Sequence, residues 1–186
     1  MIIESYKGYR IVISHDEDME SPRSWDNMGT MVCLHNKYML GDTPQDINKS
    51  DFNSWDEVRD EIVRRGGVLI LPLGLYDHGG ISMYIGSSHD RWDGGQVGFI
   101  YVTQADLDRE GVSIETAEDI LKNEVEIYDK YLRGEFVQYR VEKDNICPTC
   151  RHIEPDFLDS CSGYGSEAEA LSEARNIIDS YEEVSA

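Results

Sequence analysis

VLILPLGLYDHGGISMYIGSSHDRWDGGQVGFIYV, residues 68–102, is the most hydrophobic region of the chain, and it alternates apolar segments with glycine-rich turns. Val68 to Tyr76 is a nearly continuous apolar run bounded by Gly66-Gly67 and Gly79-Gly80, too short for a buried helix. Pro72 cannot donate a ladder hydrogen bond, so it implies an edge position, a bulge or a bend. Asp77-His78-Gly79-Gly80 has hairpin-turn chemistry. Ile81, Met83 and Ile85 then alternate with Ser82 and Tyr84 at period two. After a loop over 86–95, Val97 to Val102 reads as a third strand, with Val97, Phe99 and Tyr101 on one side and Gly98, Ile100 and Val102 on the other. The three segments predict a central meander. In that order the His78 turn and the loop carrying His89, Asp90, Trp92 and Asp93 lie at opposite ends, about 17 Å apart at roughly 3.3 Å per residue. The two histidines are then not expected to share a metal or a reacting atom.

Outward from this core the chain mixes strands and helices. Tyr9 to Ser14 and Thr30 to Leu34 read as strands, separated by the polar segment HDEDMESPRSWDNMG over 15–29. Loops of that length tend to be functional or mobile. Ser54-Trp55-Asp56-Glu57 has the residues of a capping box and starts a helix that Gly66 stops. Thr103 and Asp106 start a short helix. Glu115 to Arg133 is the longest, with Ala117, Leu121, Val125 and Tyr128 at helical spacing and Gly134 at its end. Residues 136–143 alternate as a strand, and Ser166 with Glu169 caps a last helix. The reading is α+β: a mostly antiparallel sheet (68–102, with strands near 9–14, 30–34 and 136–143) packed with three main helices. The chain is read as one domain, with a small cysteine-containing appendage over 144–186 as a variant of that reading.

With 186 residues and 40% apolar content the chain is long enough for a sizeable core. No run of 18 apolar residues exists, so no membrane-spanning segment is expected. The start MIIESYKGYR lacks the basic and apolar regions of a signal peptide, so a cytoplasmic location without disulfides is expected. The net charge of −20 disfavours direct contact with nucleic acid or an anionic membrane surface. It fits simple solubility, a basic protein partner, or imitation of nucleic acid by carboxylates.

Cys147-Pro148-Thr149-Cys150 is a CxxC motif, followed by His152 and Cys161. Zinc needs four N or S ligands, and one CxxC supplies two. A zinc ion held by Cys147, Cys150, Cys161 and either His152 or Cys33 is one reading. Reduced cysteines packed against the last helix are the preferred one. A redox motif is disfavoured, because such cysteines normally start a helix. His15 with Asp16 and Asp18 resembles a hard-metal cluster but reads better as a solvated loop. No nucleophile elbow, phosphate-binding glycine loop or dinucleotide fingerprint is present.

Four stretches carry a resemblance: Ser21-Pro22-Arg23 through Asp26-Asn27-Met28-Gly29-Thr30-Met31; Leu75 to Ile81; Trp92 to Val102; and Asp159 to Gly165. Together they resemble a family of small acidic proteins encoded by bacteriophages, prophages and other mobile elements. The resemblance implies an origin and no catalytic residues, and it favours anti-defence readings in which an acidic protein binds a host factor. The polar, glycine-bearing stretches 21–31, 92–96 and 159–165 are expected to converge at one end of the sheet. They and the neighbouring loop supply the candidate binding residues Arg23, Asp26, Asn27, His89, Asp90, Trp92, Asp93 and Gln96. The leading reading is a non-enzymatic interaction protein that binds a host protein. The alternative is a small metal-dependent hydrolase built from Asp26, His89, Asp90 and Asp93.

Overall fold

A computed structural model describes residues 1–42, 47–87 and 94–185. In chain order the elements are β1 (Ile2–Tyr6), β2 (Tyr9–His15), β3 (Thr30–Cys33), α1 (Trp55–Arg64), β4 (Gly67–Asp77), β5 (Ile81–Ile85), β6 (Gly94–Thr103), α2 (Gln104–Glu110), α3 (Ile114–Leu132), β7 (Val137–Ile146), β8 (Ile153–Tyr164) and α4 (Glu167–Ser185). The protein is α+β, and every strand pair among the described residues is antiparallel. The strands form two four-stranded sheets, β1-β2-β7-β8 and β3-β6-β4-β5. The chain divides into two compact units, one of residues 1–19 with 134–186 and one of residues 20–133.

The second unit is built around the apolar stretch. Its sheet buries both faces. Met31, Leu73, Leu75, Met83, Ile100 and Val102 pack with Ala117, Leu121, Val125 and Tyr128 of α3 on one side. Val32, Phe99 and Tyr101 pack with Val58 and Ile62 of α1 on the other. Burial on two faces explains why β4 and β6 read as continuous apolar runs rather than as an alternation. Ser54 Oγ accepts the Glu57 amide and starts α1, but the Glu57 carboxylate accepts the amide of Asn53 instead of that of Ser54. The full capping box occurs at Thr103 and Asp106.

The strand order differs from a meander. β4 lies between β5 and β6, so the chain leaves β5 at Ile85, opposite Leu73, and re-enters at Gly94, opposite Tyr76. Gly94 therefore stands at the end of β4 that carries the His78 turn. The expected separation of that turn from the following loop does not hold at Gly94. Pro72 stands where the β4–β5 pairing ends: its carbonyl accepts the Gly86 amide just beyond the last pair, so the ladder stops at the residue that lacks an N–H. A register shift follows between Leu73 and Gly74, with Val97 as the extra residue on β6. That bulge turns Val97 to the α3 side with Ile100 and Val102, away from Phe99 and Tyr101.

The first unit is a four-stranded antiparallel sheet in sequence order with α4 on one face. Tyr9, Ile11, Ile13, Val137, Tyr139 and Val141 bury against Ala170, Ala174 and Ile178. Residues 144–186 supply the end of β7, the edge strand β8 and the unit's helix. β8 occupies a segment to which the sequence reading assigned no strand or helix.

Candidate functional site

The densest polar constellation surrounds Arg23. Its side chain is only 4% exposed. Nε and Nη2 donate to the two carboxylate oxygens of Asp42 at 2.7 and 3.1 Å, Nη1 donates to Glu124 at 2.9 Å, and Nη2 also donates to the Gly29 carbonyl at 2.6 Å. Glu124 accepts the amides of Met28 and Gly29 with its other oxygen, and Asp42 accepts the amide of Met31. Burial opposes the Arg23 charge, but the two carboxylates outweigh it and raise its pKa. This fork–fork geometry pins the 21–31 segment to α3 and commits four of the five guanidinium donors to contacts within the fold. Gly29 is required there, because a Cβ would overlap the Leu121 side chain.

Arg23 is therefore internal glue rather than a binding residue. Asn27 also turns inward, donating to the carbonyls of Pro22 and Trp25. Asp26 is exposed. Ser21–Met31 belongs to the second unit's fold and residues 159–164 to β8 of the other sheet, so these two glycine-bearing stretches do not share a sheet, and the third begins outside the described residues. His89, Asp90, Trp92 and Asp93 lie outside the described residues.

Gln96 does reach a concave surface. A cavity of about 330 Å³ is lined by Gln96, Leu34, Phe52, Trp55, Val58 and Lys49. A second hollow of about 340 Å³ shares Trp55 and Gln96 and adds Asp56, Arg59, Pro72 and Phe99. Trp55 stands edge-on to Phe99 at 6.1 Å. These volumes are at the small end of ligand pockets. Trp55 reads from the sequence as part of the start of α1, and its partial burial beside a hollow was not foreseen. The signal was its place in the first turn, where a side chain overhangs the preceding loop.

The cysteines separate. All four are free thiols. Cys33 is buried against Asp42, and burial first, then that carboxylate, pushes its thiol up to about 12. A thiol held protonated in this way is a poor metal ligand. Cys147 and Cys150 form the tip of the β7–β8 hairpin, while Cys161 pairs with Tyr139 far down β8. From Ile153 to Cys161 the strand covers roughly 25 Å, so Cys161 does not share a metal with the tip in one chain. His152 sits at the tip, and its carbonyl accepts the Cys147 amide. Among the described residues, no three His, Cys, Asp or Glu side chains gather to hold a metal ion. The four-ligand zinc set read from the sequence is thus not assembled within a chain.

α4 carries six acids, Glu167, Glu169, Glu173, Asp179, Glu182 and Glu183, against one base, Arg175, which pairs with Glu4. Asp179 binds Lys7 and Tyr6, and these bonds hold its carboxyl below the ordinary range.

Comparison of the chain with models of known protein families, with curated proteins and with solved structures gives no match in any of the three. Among the described residues no helix is long and apolar enough to cross a membrane.

Proposed function

We propose that the chain is a non-enzymatic acidic interaction protein, of the kind bacteriophages and other mobile elements encode, that binds a basic surface of a host protein. The observation that carries this reading is the charge pattern of α4. The helix runs about 28 Å at 1.5 Å per residue. Its last turn holds Glu182 and Glu183 and no base, where the helix dipole disfavours negative charge. Glu167, Glu169 and Glu183 enter no ion pair among the described residues. Glu167 and Glu169 suit the first turn, but Glu183 is exposed at the end where the dipole disfavours it, which fits a surface that meets cations elsewhere. Glu169 and Glu173 stand one turn apart, close to the spacing of successive phosphates along a strand, which fits the nucleic-acid-mimic form of the reading.

Capture of proteins from host lysate at low and high salt tests it. The wild-type chain is expected to retain basic proteins in a salt-sensitive manner, and Glu167→Gln, Glu169→Gln, Glu173→Gln and Glu183→Gln together should release them. Equal retention by the neutralised chain would place the binding elsewhere and defeat the reading.

A further inference from the structure

The β7–β8 hairpin has a feature that neither the proposed binding by α4 nor the packing of the unit uses. β2 accompanies β7 only as far as Glu142. From Lys143 to Ile146 the strand pairs with β8 alone, so a two-stranded arm of about 13 Å carries the CxxC motif at its end. Lys143 to Ile146 and Ile153 to Phe157 are exposed, and so is Cys150.

The tip has the backbone of a metal knuckle. The Cys147 amide donates to the His152 carbonyl and the Arg151 amide to the Cys147 carbonyl, each at 2.9 Å. Arg151 takes φ 57, one of two non-glycine residues described in the left-handed region. That tight turn carries a second thiol three residues after the first, the spacing at which one knuckle presents two sulfurs to a soft cation. Two thiolates make only half a tetrahedral site, and no third ligand joins them from the same chain among the described residues.

We propose that the hairpin tip is one half of a tetrathiolate zinc site, completed when Cys147 and Cys150 of a second copy of this chain supply the other two sulfurs. Identical half-sites meet about a two-fold axis, the commonest symmetry of soluble dimers. Zinc suits the site because it takes four thiolates tetrahedrally and has no redox chemistry of its own. Binding displaces one proton from each of four thiols and leaves the zinc and four sulfurs with a net charge of −2, which the paired Arg151 side chains offset. Ile146 and Ile153, directly paired behind the knuckle and 57% and 52% exposed, supply the apolar collar that a second tip would cover. The two chains otherwise repel through their charge of −20 each, so the contact should tighten as salt rises.

Native mass spectrometry of the reduced, full-length chain titrated with zinc tests the proposal. The expected species is two chains with one zinc, lost on chelation and absent in Cys147→Ser and Cys150→Ser, but retained in Cys33→Ser and Cys161→Ser. Cobalt in place of zinc should give the absorption of a tetrahedral tetrathiolate. Both tip variants lie on an exposed turn, and circular dichroism checks that they fold. One zinc on a single chain, a zinc-free dimer that survives the tip substitutions, or single chains that stay metal-free in excess zinc would each overturn it.

Discussion

Arg23 shows how one residue decides between a site and a support. A guanidinium beside glycines and acids reads as a binding group until four of its five donors are followed to Asp42, Glu124 and Gly29. Removing it leaves two carboxylates without their cation, Glu124 among them at 9% exposure. Arg23→Ala is expected to lose about 3–5 kcal/mol of stability in urea unfolding, the loss typical of a broken buried pair. Arg23→Ala combined with Glu124→Ala should cost much less than the two single losses added, because the second change removes the stranded charge. Additive losses would mean that the pair is not coupled. Glu61 makes the contrasting case on the surface. The forks of Arg64 and then Arg65 hold its carboxyl down at about 2. A depressed folded pKa contributes stability that is present above the unfolded value near 4.5 and is lost as pH falls toward 2. Side-chain NMR titration should find the low midpoint, and Arg64→Ala with Arg65→Ala should return it to the ordinary glutamate range. The exposed pair is screened by salt, so its share of stability is small.

At the scale of elements, the close approach of β3 to β6 at Gly98 sets a sharp test. A Cβ there would overlap the Val32 carbonyl oxygen, a backbone atom that cannot rotate away. Gly98→Ala should therefore cost at least about 2 kcal/mol and loosen β3 from β6, read as faster amide exchange over Thr30–Cys33. The arm offers another. Two-stranded hairpins are marginal by themselves. Without zinc, amides of Lys143–Ile146 should exchange well before those of Val137–Val141, and equal protection would show that the arm is held by something further. The same elements show what was legible beforehand. Strands with two buried faces, such as β4 and β6, announce themselves by continuous apolar sequence, and α3 by its stripe from Ala117 to Tyr128. The order β6-β4-β5 was hidden, because three consecutive apolar strands pair equally well as a meander or with the first in the middle, and the bulge at Val97 leaves no mark in composition. β8 was hidden for a different reason. It is an edge strand with two register shifts against β7, so adjacent Phe157 and Leu158 break the alternation. In the candidate site, Glu124 did leave a trace. It is an acid three residues after Leu121 and four before Tyr128, on the buried face of α3, where an unpaired charge would not be tolerated.

At the scale of the whole molecule, connectivity makes the second unit an insertion into the first. β2 ends and β7 begins as paired neighbours, with His15 opposite Val137. The Asp16 amide donates to the Phe136 carbonyl at 2.9 Å, and the His15 ring meets the Gly134 carbonyl at 3.2 Å. A short turn could join those strands, and residues 20–133 stand in its place. Each unit carries its own core: the α4-covered sheet in one, the sheet buried on both faces in the other. Insertions of this kind are tolerated where the host ends lie close together, since closing the loop costs little beyond its logarithmic length term. Two shortened chains follow: residues 20–133 alone, and residues 1–19 joined to 134–186 through a glycine-containing turn. The first is expected to give a dispersed amide NMR spectrum and cooperative urea unfolding, since its sheet is buried on both faces. The second should fold with lower stability, because small cores leave only a few kcal/mol. It should still form the two-chain zinc complex, for the arm lies wholly within it. A collapsed spectrum for the first chain would show that its core depends on the other unit. Loss of the zinc complex in a folded second chain would show that the arm needs residues 20–133 to present its tip.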